Sequence, residues 1–244
     1  MTKIFISQPA PLSERNPFST LAEHYDASFD FEQLIAIEGL SASEFRLQHI
    51  NPLNYSAVML SSKLACEQYF QMMEALRLKV PESQHYYCIS ETVSNYLTKF
   101  IQYRKRKVFA AENNDFLTLL PTMTRKDETY LMVVSDIHQD NTVDRLAEQG
   151  ITVQPAIMYR TVSREWPKNR PFDYQVVALN TPAAVRSLHH NFPDWRPGLA
   201  TLICFGKGTQ DEAESLGWEV ARRAPSAEFP SLAAAIGDYL ERKN

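Results

Sequence analysis

Tyr159 is the best single candidate for a catalytic side chain in this sequence. A phenol is a hydrogen-bond donor that stays protonated at neutral pH. Tyr159 stands near the end of the stretch Ile151–Val162, which has many β-branched residues, no Gly and one Pro near its beginning. Such a stretch reads as a strand. A lone Tyr in a strand is ordinarily half-buried packing. What distinguishes Tyr159 is the set of polar helix starts that accompanies it.

Four helix starts follow strands directly: Ser61-Ser62, Ser90-Glu91-Thr92, Asn180-Thr181 and Gly206-Lys207-Gly208-Thr209. Each offers free backbone N–H groups and the positive end of a helix dipole, and a hydroxyl stands in every one. That combination suits an anion. Taken singly, each is also a plain N-cap worth about 1 kcal/mol. In a parallel sheet they lie at the carboxyl ends of strands, where ligands bind. The Gly206-Lys207-Gly208-Thr209 run is not a P-loop, because no glycine stands five residues before its Gly-Lys pair, and no G-x-G-x-x-G follows a strand. The basic run Arg104-Lys105-Arg106-Lys107 reads as a solvated loop after a helix. His24, His49, His85, His138, His189 and His190 have no metal spacing, and no Ser-His-Asp or Cys-His set is recognisable. An enzyme with this inventory works by binding and shaping its ligand.

The elements that must position these groups alternate strand and helix. Lys3–Ser7 reads as a short buried strand. Ser19 is expected to cap a helix carrying Leu21, Ala22 and Tyr25, and Ser28–Ile37 is extended. A short helix is expected at Ser43–His49. Strands at Tyr55–Leu60, Tyr86–Ile89, Lys107–Ala111 and Tyr130–Val134 follow, with helices after Ser62, Ser90, Asp115 and near Leu146. Beyond Pro171 the rhythm returns. Strands are expected at Gln175–Leu179, Thr201–Phe205 and Trp218–Ala221, with helices after Thr181, Gly206 and Ser231. Gly217 is placed as a helix C-terminal cap. Strands this short and apolar belong in the middle of parallel sheets.

The chain also repeats itself. Tyr55–Leu120 matches Tyr174–Ile236 element for element, and Leu21-Ala22-Glu23 resembles Leu146-Ala147-Glu148, each one helix before an extended segment. The second copy of the opening unit precedes the second copy of the core unit. The first strands therefore belong with the last third of the chain. The expected fold is α/β: two similar domains with parallel sheets flanked by helices, joined by a two-stranded β-ladder hinge. The expected domains are 1–33 plus 164–244, discontinuous, and 39–152, with 34–38 and 153–163 as linker strands.

Composition bounds the function. The chain has 244 residues and a net charge of −4, which argues against a nucleic-acid partner. Its start is too short an apolar run for a signal peptide, and no run approaches membrane-spanning length. Cys66, Cys88 and Cys204 are far apart and odd in number, as in a reduced, cytoplasmic protein.

The order strand–Ser-Ser–helix, strand–Ser-Glu-Thr–helix, a crossing Met-Tyr-Arg-Thr, then strand–Gly-x-x-Thr–helix before Leu-Gly resembles the uroporphyrinogen-III synthase family, from Ile4 to Leu240. Ile-Ser-Gln-Pro at the start and Ala156–Val162 look like a bacterial branch of it. The resemblance implies a cyclising lyase of porphyrin and haem biosynthesis, cytoplasmic and free of any cofactor or metal. Its substrate is hydroxymethylbilane, a linear tetrapyrrole with eight carboxylates. The terminal hydroxyl leaves as water, the far ring attacks through a spiro intermediate, and closure inverts that ring. Tyr159 matches the family's cleft tyrosine, whose phenol can hydrogen-bond the departing hydroxide. The carboxylates fall to Ser61, Ser62, Thr92, Thr181, Gly208 and Thr209, with Lys63 and Lys207 adding positive charge.

The sequence departs from the family in three places. Ser7-Gln8 stands where many members have Thr-Arg, Asn180 where an aromatic or hydroxyl residue is common, and Gly208 where a hydroxyl residue is common. A monomer is expected, with no membrane or nucleic-acid partner. The alternative reading is a non-enzymatic hinged receptor for an anionic small molecule. A remoter one is a regulatory module that kept the fold and lost catalysis.

Overall fold

The computed structural model describes residues 1–137 and 141–243. In chain order the elements are β1 (Thr2–Ile6), α1 (Pro17–His24), β2 (Ala27–Phe31), β3 (Ile35–Gly39), α2 (Ala42–Arg46), β4 (Ala57–Leu60), α3 (Lys63–Ala75), β5 (His85–Cys88), α4 (Glu91–Tyr96), β6 (Val108–Ala110), β7 (Tyr130–Ser135), α5 (Thr142–Glu148), β8 (Val153–Ser163), β9 (Val176–Leu179), α6 (Pro182–Asn191), β10 (Thr201–Phe205), α7 (Lys207–Ser215), β11 (Arg222–Ala224) and α8 (Leu232–Lys243). His138, one of the six histidines, lies outside the described residues. No helix among the described residues is long and apolar enough to cross a membrane.

The chain divides into two compact units, Met1–Ala36 with Val162–Asn244, and Ile37–Thr161. The first holds a five-stranded sheet in the order β11-β10-β9-β1-β2. Its strands pair in parallel throughout. On one face, Phe5, Val177 and Leu179 pack with Val185 and Leu188 of α6 and with Trp195 and Trp218. On the other, Ile4, Ile6, Val176 and Ala178 pack with Phe18 of α1 and Ile236 and Leu240 of α8. Strands covered on both sides need apolar residues at every position, which is why Val176–Leu179 reads Val-Val-Ala-Leu without alternation.

The second sheet runs β3-β8-β7-β4-β5-β6, with parallel pairing from β8 through β6. Val58, Leu60, Leu131 and Val133 face Ala65, Cys66, Tyr69 and Met73 of α3. Met59, Met132 and Val134 face Phe116, Leu119 and Leu146 on the opposite side. Read from their outer edges, β6-β5-β4-β7-β8 and β11-β10-β9-β1-β2 have the same order. The sequence repeat is thus a repeat of sheet topology, with β7–α5–β8 the counterpart of β1–α1–β2.

Three expected local features differ. The cap of α1 is Asn16, not Ser19. The Asn16 side chain accepts from the N–H groups of Phe18 and Ser19, Ser19 closes a capping box, and Pro17 takes the first turn. The segment after Asp115 is a 3₁₀ helix, Phe116–Thr122, carrying Pro121, which has no N–H to give. Trp218–Ala221 is not a strand; β11 begins at Arg222, which stands opposite Ile203. Gly217, at φ +74°, ends α7, and the Trp218 N–H donates to the Ala213 carbonyl while the Gly217 N–H donates to that of Glu214. This pair of hydrogen bonds is a Schellman cap. Trp218 is therefore spent as the apolar residue of the cap, packed edge-on to Trp195.

Candidate active site

Within the unit Ile37–Thr161, Tyr159 sits at the carboxyl end of the sheet, opposite Ser135, the last residue of β7. The register slips there. Val134 stands opposite Ile157, but Ser135 stands opposite Tyr159, so Met158 is an extra residue in β8. A bulge of this kind interrupts the alternation of side chains. Ile157 packs on the face of Leu146 and Val134, whereas both Met158 and Tyr159 pack on the α3 face. In an unbroken strand Tyr159 would point to the side of Ile157.

The bulge is held from three directions. The Gln48 side chain acts as a strand neighbour: its Nε2 donates to the Ile157 carbonyl at 2.8 Å and its Oε1 accepts from the Ile157 N–H at 2.9 Å. The Leu40 N–H donates to the Met158 carbonyl at 2.9 Å, and the Asp136 N–H donates to the Tyr159 carbonyl at 3.1 Å. The Asp136 carboxylate accepts from the Thr161 N–H at 3.1 Å. Arg160, the next residue, pairs with Glu44 of α2 at 2.7 Å.

On the α3 face the half-buried Tyr159 phenol lies near Ser62. Burial raises the phenol pKa above its usual value of 10, and the Ser62 hydrogen bond acts in the opposite sense. The net rise keeps the group protonated at neutral pH, so it is a donor and not a base. Ser62 is the N-cap of α3, accepting from the Ala65 N–H at 3.0 Å. The phenol therefore lies at a helix start whose first N–H groups have no carbonyl to meet.

The other expected residues of this unit share that end of the sheet. Ser61 is half-buried just after β4. Lys63 is exposed, its Nζ 5.5 Å from the centre of the Tyr96 ring. The Tyr96 hydroxyl donates to Glu67 of α3. Thr92 is exposed in the first turn of α4, but the cap of that helix is Ser90, which accepts from the Val93 N–H. Ser90 was part of the expected helix start without being singled out, although a Ser directly after an apolar strand is the usual signal for a cap.

In the other unit, Thr181 caps α6, accepting from the Ala184 N–H at 3.1 Å. Asn180 is built into the end of β9: its N–H donates to the Ser7 hydroxyl at 2.8 Å and its Nδ2 to Gln8 Oε1 at 2.7 Å. The Ser7-Gln8 pair and Asn180 are thus partners of one another. Gly206 starts α7 at φ +81°, a backbone that side chains rarely adopt. Gly208 is next to Pro182, since a Cβ built on it would lie 3.8 Å from the Pro182 ring, so the starts of α6 and α7 are neighbours. Lys207 is 75 % exposed and pairs with Asp211 one turn on, at 3.0 Å. Thr209 is 2 % exposed.

No group of three or more His, Cys, Asp or Glu among the described residues could hold a metal ion. The chemistry on offer is the Tyr159 phenol, with hydroxyls, lysine ammonium groups and backbone N–H groups at strand ends.

The sequence matches the family model described as uroporphyrinogen-III synthase HemD over residues 17–234. No curated protein matches it. The fold is similar to uroporphyrinogen-III synthetase from Helicobacter pylori 26695, at 15% identity and a TM-score of 0.60, covering 99% of this chain and all of that one. A mutant uroporphyrinogen III synthase from the extremely thermophilic bacterium Thermus thermophilus aligns over the full length of both chains at 14% identity and a TM-score of 0.47. Matched along most of its length by that family's model, this chain belongs to the uroporphyrinogen-III synthases, the cyclising lyases of haem biosynthesis.

Proposed function

We propose that the chain closes hydroxymethylbilane to uroporphyrinogen III, with Tyr159 hydrogen-bonding or protonating the hydroxyl that leaves. The carbon–oxygen bond at the terminal methylene breaks with electrons from the adjoining pyrrole, and the oxygen departs as water. The far ring attacks that methylene through its substituted carbon to form a spiro centre; the bond from that carbon to its original methylene then breaks, and the released methylene is attacked by the ring's unsubstituted α-carbon, which inverts the ring. The proton lost from that ring on closure balances the one taken by the leaving group. An open-chain bilane closes without help to the uninverted isomer, so the protein's main task is to fix one geometry.

One observation carries this reading: the bulge that brings the raised-pKa phenol of Tyr159 to the Ser62 helix start. The substrate carboxylates are assigned to N–H groups and hydroxyls at Ser61, Ser62, Thr92, Thr181, Gly208 and Thr209, with Lys63 and Lys207 adding charge. The domains are taken as 1–33 plus 164–244 and 39–152, with 34–38 and 153–163 as linkers. A cytoplasmic monomer that needs no cofactor, with neither a nucleic-acid nor a membrane partner, completes the proposal. Nothing observed favours a receptor.

The test supplies fresh hydroxymethylbilane, oxidises the product and separates the isomers. Isomer III in excess over the spontaneous reaction is expected. Isomer I alone would refute the proposal.

A further inference from the structure

At the amino-terminal ends of β5 and β6, opposite the strand ends that carry Tyr159, two connecting segments close over a cavity of about 380 Å³. That volume lies in the range of small-molecule sites. Phe70 of α3 and Phe100 form its apolar wall, their rings parallel within 1° and 4.7 Å apart.

Tyr86 also lines it. This residue is 3 % exposed, and its phenol has no hydrogen-bond partner among the described residues. Its oxygen is not among the fully buried side-chain atoms without a partner, so it opens onto the cavity. Burial raises its pKa, which keeps it a donor. A protonated phenol open to the cavity can donate to an acceptor bound there.

The mouth supplies the sign of the charge. Lys79, Arg104 and Lys107 line it against the single carboxylate of Glu82. Lys107 donates to the Glu82 backbone carbonyl and leaves that carboxylate out of the contact. This surplus of positive charge stands on a chain whose net charge is −4. Arg104 and Lys107 are the two ends of the basic run in the sequence.

We propose that this cavity is a second binding site, for a small flat aromatic carboxylate. The ring body lies along the Phe70–Phe100 wall, where aromatic packing is favourable. The carboxylate accepts from the Tyr86 phenol and faces Lys79 and Arg104 at the mouth.

The test is calorimetric titration of the full-length protein with 1-naphthoate. Saturable binding of one equivalent is expected, weakened at least about tenfold by the paired exposed substitutions Lys79→Glu and Arg104→Glu, the two charge contacts together. Tyr86→Phe is expected to weaken it several-fold, and the neutral 1-naphthalenemethanol to bind at least about tenfold less tightly, having no charge to satisfy. Tyr159→Phe leaves the isotherm unchanged. Absence of saturable binding, indifference to the charge reversals, or a loss caused by Tyr159→Phe would each overturn the proposal. Thermal melts of the exposed double variant, matching those of the parent, keep a loss of binding from being a loss of fold.

Discussion

Met158 and Tyr159 are consecutive in β8, yet both side chains pack on the α3 side of the sheet. In a regular strand one of them would be on each side. Met158 goes fully into the core and Tyr159 stays half-buried at the sheet's carboxyl end. One extra residue thus separates two tasks that a regular strand would have sent to opposite faces: filling the core beside Ala156, and holding a phenol against Ser62.

If that phenol serves the departing hydroxyl, Tyr159→Phe should fold as the parent does and slow isomer III formation by at least about tenfold, the low end for an acid–base group. The ring still packs on the α3 face, so the melting temperature should hold. Ser62→Ala should behave differently. It removes a cap, costing roughly 0.5–2 kcal/mol of stability, and leaves the phenol in place, so its rate should fall less than that of Tyr159→Phe. Equal rates for parent and Tyr159→Phe would take Tyr159 out of the mechanism.

Gln48 is a positioning residue for that phenol. Its amide makes two hydrogen bonds to Ile157, two residues before Tyr159. Gln48→Ala leaves both half-buried backbone groups of Ile157 without their partner, at less than the roughly 1–3 kcal/mol of a fully buried group because water can reach them. The rate constant kcat should fall while KM stays near the parental value, because the helix starts assigned to the carboxylates are untouched. Gln48→Glu keeps an acceptor for the Ile157 N–H and should fall in between. A change in KM alone would show that Gln48 acts elsewhere.

Topology was readable in the sequence because it is written in composition. Strands covered on both faces must be apolar throughout, and Ala57–Leu60 and Val176–Leu179 are. Their spacing from Ser62 and Thr181 marks the helix starts. The bulge was not readable, since it arises from the register between Val134 and Ile157 and from a Gln48 amide more than a hundred residues away. Nor did the repeat show that Trp218 would be taken by a helix cap.

Acid should loosen the anchor of β8 before it unfolds the sheets. Hydrogen bonds from the Ser41 hydroxyl and backbone, and then from Arg160, lower the Glu44 pKa from 4.5 to about 2. The folded value lies below the unfolded one, so the contribution is present above about pH 4.5 and is lost as pH falls toward 2. Melting curves of the parent and Glu44→Gln should differ at pH 6 and converge through that window. The difference at pH 6 should shrink with added salt, since Glu44 and Arg160 are partly exposed. A gap that persists unchanged at pH 2.5 would mean Glu44 acts by shape and not by charge.

Gly208 is the one assigned position with no hydroxyl or charge of its own, and it can take a hydroxyl without strain. Its φ is not positive, and an added Cβ would meet the Pro182 ring at 3.8 Å, an ordinary contact. Gly206 next door offers no such choice, because its φ of +81° would strain any side chain. In a helix, Ser is more favourable than Gly by a few tenths of a kcal/mol, so Gly208→Ser should melt slightly higher than the parent. If the start of α7 meets a substrate carboxylate, the added hydroxyl should lower KM with kcat unchanged, the mark of binding gained equally in ground and transition states. A higher melting temperature with KM unmoved would remove Gly208 from the binding surface and leave Thr181 as the hydroxyl of that pair of helix starts.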